Sequence, residues 1–282
     1  MPELPEVETV LRGMEGAMRG RHITHTHVDR RDLRKAIPDN FEKRLDGLYA
    51  LKVFIRRGKY IIIQVSDAEA MILHLGMSGR VRIYDGGKDY EAVKHDHVTW
   101  TLDDGTIIAF NDPRRFGMLW LAPFHEWDAL PPFDKMGPEP LSNDFSGGAL
   151  YERLHPRRTP IKVALLDQRV VSGVGNIYAC EALYRAQIDP ARRSCDISED
   201  EAAVLAGAIR SVLEKAIAAG GSTLKDYQHT DGSLGYFQYS FAVYDREGEA
   251  CPDCSCDIVQ TGGVIRTVQG GRSTYACMKR QK

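Results

Sequence analysis

A proline directly after the first methionine places unusual chemistry at one end of this 282-residue chain. Removal of Met1 leaves Pro2 with a free secondary amine. An α-amino group titrates near pH ~8, well below a lysine at about 10.4, so part of it is an unprotonated nucleophile at neutral pH. A secondary amine that attacks an aldehyde-level carbon gives a cationic iminium, an electron sink of the Schiff-base type. Glu3 follows directly and is placed to move protons during that attack. The structural alternative is an ordinary helix start, with Pro at an early position and Glu in the first turn. Lys59, in the turn RRGKY (56–60), reads either as a solvated lysine or as a phosphate clamp or proton donor near Pro2.

Three glycine-rich stretches carry further candidates. In HLGMSG (74–79), Met77 is flanked by glycines, which suggests an exposed tip rather than core filler, and apolar tips of this kind wedge between base pairs. In NDPRRFG (111–117), two guanidinium groups and an aromatic sit among turn formers. That is either a charged hairpin tip or a finger stacking Phe116 and offering Arg114 to a base edge. In VVSGVGNIY (170–178), glycines expose backbone N–H groups ahead of Asn176 at a helix start, a geometry that binds phosphate. Four of six cysteines, Cys251, Cys254, Cys256 and Cys277, share the last 32 residues. A clustered Cys-x2-Cys in a chain without a secretion signal reads as metal binding before disulfides. Three of these, Cys251, Cys254 and Cys277, are clear zinc ligands. Cys256 is a fourth only at the cost of a cramped Cys-Ser-Cys chelate, and Arg280 stands three residues after Cys277.

The elements that must position these groups change style along the chain. Apolar residues Val7, Val10, Leu11, Met14 and Met18 predict a helix over 3–18, with the N-terminal amine at its positive dipole end. Strand-like runs follow at 22–28, 49–56, 60–65, 71–75, 80–84, 97–102, 107–111 and 118–121, which suggests a sandwich or barrel. A proline-rich linker covers 124–140. Helices are then predicted over 145–155, 160–167, 176–186 and 199–219, the last introduced by the capping box Ser198-x2-Glu201. Residues 221–235 are polar and glycine-punctuated, and the tail from 240 reads as short strands around the cysteines.

Composition sets outer bounds. The length accommodates two domains with usable cores, and 43% apolar with 27% charged residues is ordinary for a soluble protein. No apolar run approaches the ~18 residues of a membrane span, so a cytoplasmic protein without membrane partners is expected. The net charge of −2 gives no global sign of nucleic-acid binding. Local basic patches do: residues 52–59 carry four positive charges and no negative ones, and residues 258–282 carry five.

Taken in order, PELPEVE (2–8), RRGKY, HLGMSG, KHDH (94–97), NDPRRFG, LLDQ-x-VVSGVGNIYA (165–179), GGSTLKDY (220–227), DGSLGYFQ (231–238) and GRST-x2-Cys (271–277) resemble the formamidopyrimidine-DNA glycosylase family, bacterial enzymes also called MutM or 8-oxoguanine DNA glycosylase. The likeness runs the whole length. The opening and the DPRRFG loop look like the oxidised-purine branch rather than the endonuclease VIII branch. The resemblance implies an α+β multidomain fold: an N-terminal β-sandwich with flanking helices (1–130), a helical helix-two-turn-helix domain (131–240) and a C-terminal zinc-finger-like hairpin (241–282). It implies a monomeric, bifunctional glycosylase/AP lyase of base excision repair acting on damaged double-stranded DNA, with no cofactor in the chemistry.

By the same resemblance Pro2 is the nucleophile, Glu3 the general acid/base, Glu6 its support and Lys59 a proton donor. Met77, Arg114 and Phe116 fill the gap left by a flipped base. His74, His95, Lys162, Asn176 and Arg272 contact DNA, and residues 222–237 include a loop closing over the everted base. The chain departs from the family at the finger, where members usually carry Cys-x2-Cys twice and Arg280 replaces the last cysteine. A finger held by packing without zinc is the alternative there. Two rival functions remain open at this point: an endonuclease VIII-like preference for oxidised pyrimidines, and a non-catalytic DNA-binding protein.

Overall fold

The computed structural model describes residues 1–47, 50–222 and 230–282. It divides into two compact units, residues 1–134 with 219–236, and residues 135–218 with 237–282.

The first unit begins with α1 (Leu4–Met18). A capping box starts it: the Glu3 side chain accepts from the Glu6 backbone, and the Glu6 carboxylate accepts from the Glu3 N–H at 2.8 Å. The strands are β1 (Ile23–Val28), β2 (Phe54–Arg57), β3 (Tyr60–Gln64), β4 (Glu69–His74), β5 (Arg80–Tyr84), β6 (Asp96–Leu102), β7 (Ile107–Asn111) and β8 (Met118–Pro123), with a short α2 (Phe41–Leu45) after β1. They pair antiparallel into two four-stranded sheets, ordered β1-β6-β7-β5 and β2-β3-β4-β8. Alternate residues of both sheets meet in one core: Ile61, Ile63, Met71, Leu73, Val81, Val98, Trp100, Ile108, Phe110 and Leu119. The α1 stripe of Val7, Val10, Leu11, Met14 and Met18 joins the same core, so the sandwich fixes the helix axis. The central strands β3 and β4 are buried on both faces, which is why Ile61-Ile62-Ile63 runs without alternation.

The expected strands lie within a few residues of those observed. Of the strand expected over 49–56, residue 49 lies outside the described residues and the pairing starts only at Phe54. The five-residue α2 was not anticipated, because it is too short to show a helical period.

The second unit carries α3 (Gly147–Leu154), α4 (Ile161–Leu165), α5 (Asn176–Ala186), α6 (Glu199–Ala218) and α7 (Ile258–Thr261), then the hairpin β9 (Ile265–Gln269) and β10 (Arg272–Ala276). α6 packs against α3 and α5 and has the expected capping box, Ser198 N–H to Glu201 Oε2 at 2.8 Å and Glu201 N–H to Ser198 Oγ at 3.2 Å. The pair α4–α5 with the glycine-containing turn between them forms the helix-two-turn-helix.

Two placements differ from the expected division at 130 and 240. Ser222 and Thr230 belong with the first unit: Glu6 Oε1 accepts from the Ser222 N–H, and the Thr230 carbonyl accepts from the Ile83 N–H at 2.9 Å. The cysteine-rich tail is part of the second unit, because Cys180 and Tyr184 of α5 share a core with Val243, Cys251, Val264, Tyr275 and Cys277. Glu181, fully buried on α5, holds that tail by accepting from the N–H groups of Ala242, Val243 and Tyr244. Among the described residues, no helix is long and apolar enough to cross a membrane.

Candidate active site

The N-terminal group is built by the first turn of α1. Met1 is exposed, while Pro2, Glu3 and Glu6 are buried. Glu6 uses both oxygens: Oε2 takes the Glu3 N–H, and Oε1 takes the Ser222 N–H at 2.8 Å and the Ser222 hydroxyl at 3.0 Å. Gly221, at φ +80°, passes so near that a Cβ there would stand 3.0 Å from Glu6 Oε1. Glu6 is therefore a brace between the helix start and residue 222, which keeps Pro2 and Glu3 at the positive end of the helix dipole.

Lys59 lies in the two-residue turn between β2 and β3 and is only 7% exposed. Its hairpin is tied to α1 by Arg56, whose Nε donates to Glu8 Oε2 at 2.8 Å. Across β3 and β4, Tyr60 pairs with His74, and their rings lie 4.6 Å apart. Burial, followed by the nearby charges of Lys59 and Arg34, pushes His74 down to about 4. The imidazole is therefore neutral at pH 7, and its Nδ1 accepts from the Gly76 N–H at 3.0 Å. Lys59 is thus a buried lysine near the His74 ring rather than a solvated one.

The loops carrying Met77 and Arg114–Phe116 form one body. Asp112, with no exposed surface, accepts from Ser78 Oγ at 2.6 Å through one oxygen and from the Gly117 N–H at 2.7 Å through the other. Ser78 Oγ accepts in turn from the Arg114 N–H at 3.2 Å. Gly76, at φ +67°, leaves no room for a side chain, since a Cβ would lie 2.4 Å from the Phe116 carbonyl carbon. At the tip Met77 is 39% and Phe116 40% exposed, and the Arg114 guanidinium stacks 4.8 Å over the Phe116 ring. His95, in a left-handed conformation at φ +78°, supports this loop from behind by accepting the Asp112 N–H on its carbonyl at 3.0 Å. Exposed apolar and cationic groups on a buried rigid base are what a base-stack wedge requires.

In the second unit, Arg272 is exposed at the start of β10, beside the hairpin turn Gly270-Gly271. Asn176 opens α5; its Nδ2 donates to the Ser273 carbonyl at 2.9 Å, and its buried Oδ1 has no partner among the described residues. Lys162 is fully buried and its Nζ donates to the same Ser273 carbonyl at 3.3 Å, which ties α4 to the hairpin that carries Arg272.

The four tail cysteines converge. The sulfurs of Cys251, Cys254, Cys256 and Cys277 all lie within 4.8 Å of one another, with Cys251–Cys256 at 3.5 Å and Cys254–Cys277 at 3.9 Å. A tetrahedral zinc with sulfurs at about 2.3 Å needs edges of about 3.8 Å, so shifts of about 1 Å or less bring this donor set onto a metal ion. Cys256, the possible fourth ligand, lies in the same cluster as Cys251, Cys254 and Cys277.

Sequence reasoning missed Ser78, Asp112, Ser222, Glu181 and the Ser273 carbonyl. Ser78 and Asp112 lay inside motifs read for their neighbours. Glu181, an acid among the apolar residues of a helix face, carried a signal of its own.

The pattern of the formamidopyrimidine-DNA glycosylase N-terminal domain matches residues 1–119, and that of the family's H2TH domain matches residues 136–228. A formamidopyrimidine-DNA glycosylase of Rhodospirillum rubrum is 47% identical over 282 residues, covering all of both chains. Among solved structures, a Lactococcus lactis Fpg variant in complex with Fapy-dG-containing DNA superposes with TM-score 0.88 at 34% identity over 100% of both chains. MutM in complex with DNA containing carbocyclic 8-oxo-G gives TM-score 0.88 at 33% identity, again over 100% of both chains. With its sandwich, helix-two-turn-helix and cysteine finger in this arrangement, the chain belongs to the formamidopyrimidine-DNA glycosylase family.

Proposed function

We propose that this protein is a DNA glycosylase with AP lyase activity that removes oxidised purines, 8-oxoguanine and formamidopyrimidines, from duplex DNA. The observation that carries the reading is the buried start of α1, where Pro2 adjoins Glu3 and the Glu6 carboxylate has defined partners. Relatives solved with Fapy-dG and 8-oxo-G DNA support the purine preference.

After Met1 is removed, the Pro2 nitrogen attacks C1′ of the deoxyribose and the C1′–N bond to the base breaks. The base leaves with a proton, and the sugar ring opens to an iminium joined to Pro2. Glu3 moves protons at the sugar, and Lys59 supplies a proton or holds a phosphate from its hairpin turn. The iminium acidifies the C2′ proton. Its loss expels the 3′ phosphate by β-elimination, and a second elimination expels the 5′ phosphate. Met77, Arg114 and Phe116 enter the stack as the base is everted, with Arg114 facing the orphaned cytosine. Arg272 and Asn176 hold phosphates flanking the lesion. The cysteine quartet holds a structural zinc, whose part is to fix the hairpin that presents Arg272 and not to act on the substrate.

The test is borohydride trapping on a duplex with one 8-oxoguanine opposite cytosine, using protein with Met1 removal verified by mass. A lesion-dependent covalent adduct that is lost in Pro2→Gly is expected. Normal binding with no adduct sinks the catalytic reading and leaves a binding protein. Preferential trapping on oxidised pyrimidines across a lesion panel replaces the purine preference with that of endonuclease VIII.

A further inference from the structure

We propose that the metal finger of this chain has been rewired: Cys256 is the fourth ligand, and Arg280, at the position of the family's last cysteine, is a positioning residue that latches the ligand loop from outside. The proposal rests on the zinc reading above and adds to it which thiol completes the site and what replaces the missing knuckle.

Two sets of contacts carry it. First, Cys256 Sγ lies closer to Cys251 Sγ, at 3.5 Å, than Cys254 Sγ lies to Cys277 Sγ, at 3.9 Å, so it is as fully part of the cluster as the three expected ligands. Second, three carbonyls of the loop joining the first three cysteines are occupied by side chains from elsewhere in the unit. Tyr184 Oη on α5 donates to the Pro252 carbonyl. Arg280 Nη1 donates to the Asp253 carbonyl, and Lys279 Nζ to the Ser255 carbonyl at 2.9 Å. The Arg280 guanidinium stacks 4.9 Å above the Tyr184 ring, so the two latches support each other.

A trans peptide carries its N–H opposite its C=O. Carbonyls of Asp253 and Ser255 drawn outward onto Arg280 and Lys279 therefore turn the N–H groups of Cys254 and Cys256 away from those cations, back toward the ligand side. That conformation relieves the cramped Cys254-Ser255-Cys256 chelate, because the bend is held by contacts outside the sulfur cluster. The chain end is fixed as well: Gln281 accepts the Cys277 N–H at 2.8 Å and donates to the Ile188 carbonyl at 3.0 Å. A family finger uses two Cys-x2-Cys knuckles. Here a single Cys-x2-Cys-x-Cys loop meets Cys277, and a cation–aromatic pair stands where the second knuckle closed.

The test reads the metal directly. Zinc-edge X-ray absorption on the full-length protein as purified, with metal content measured on the same sample, is expected to show one zinc with four sulfurs at about 2.3 Å. The cobalt-substituted Cys256→Ser variant is expected to lose one quarter of the sulfur-to-cobalt charge-transfer intensity, with Cys195→Ser as an unchanged control. Arg280→Ala is expected to keep the four-sulfur signature while weakening zinc retention against a chelator by about 10–100-fold, the usual size of an outer-contact effect. Arg280→Lys is expected to recover only part, since an ammonium keeps the charge without the stacked plane. Zinc with three sulfurs and a lighter atom overturns the Cys256 assignment. Unchanged retention in Arg280→Ala overturns the latch. Wild-type protein without stoichiometric metal overturns the zinc reading and this proposal together, and leaves the Pro2 chemistry to its own trapping test.

Discussion

Replacing Asp112 by alanine separates two loops that one carboxylate now joins. The residue has no exposed surface, and its oxygens accept from Ser78 Oγ at 2.6 Å and the Gly117 N–H at 2.7 Å. Both donors belong to buried residues, Ser78 at 5% exposure and Gly117 also buried, so water does not readily replace the lost partner. A hydrogen bond to a charged acceptor contributes roughly 1.5–3 kcal/mol, so the alanine variant is expected to lose about 3–6 kcal/mol. Asp112→Asn keeps one acceptor but turns an amide N–H toward a donor, and about half of that loss is expected. All three tryptophans of the chain, Trp100, Trp120 and Trp127, lie in the first unit, so their fluorescence in urea follows the unit that contains the clamp. With m near 2 kcal/mol/M, a loss of 3 kcal/mol moves the midpoint by about 1.5 M. A shift under about 0.3 M for the alanine variant would refute the reasoning that this carboxylate welds the Met77 and Arg114 loops together. The functional companion is 2-aminopurine fluorescence beside the lesion, where a loosened wedge is expected to unstack the probe less.

Three further outcomes follow from the same geometry. Gly76→Ala forces a side chain onto the Phe116 backbone at φ +67°, and a loss of at least about 2 kcal/mol in urea unfolding is expected; a neutral effect contradicts the observed contact. Glu6→Gln presents an amide to donors at Glu3 or Ser222, so a lower melting temperature by a few degrees and slower borohydride trapping are expected together, and trapping at the wild-type rate argues against the brace. His74, held near 4 against an ordinary 6.5, contributes stability that is fully present above about pH 6.5. That share is lost as the pH falls toward 4, at up to about 1.4 kcal/mol per pH unit, because the unfolded chain binds the proton first. His74→Gln is expected to flatten this window. The loss tied to Asp167, held at about 2 chiefly by the Arg169 guanidinium, appears only below about pH 3.8 and remains in that variant.

The elements were largely legible in the sequence because their signals are local. The 3.6-residue spacing of Val7, Val10, Leu11, Met14 and Met18 marks α1, and short apolar runs at close spacing mark the strands from Tyr60 to Leu121. Ser198 and Glu201 announce a helix start by their own side chains. Likewise Pro2 and Glu3 are readable as chemistry, since an amine and a carboxyl in consecutive positions need no fold to be neighbours. Less legible were the partners of residues that are distant in the chain. Nothing local to Lys162 announces that its ammonium meets the Ser273 carbonyl, 111 residues away. Position 222 read only as part of a polar, glycine-punctuated stretch, and Glu6, 216 residues earlier, fixes it.

The sequence by itself determined the element types and the motifs that assign the chain to its family, because each is written in residue type and short spacing. The tertiary structure decided which polar side chains are exposed and which are braces, that His74 is neutral beside Lys59, and that Cys256 joins Cys251, Cys254 and Cys277. Burial, charge and ligand geometry depend on groups brought together by packing, and no local pattern records them.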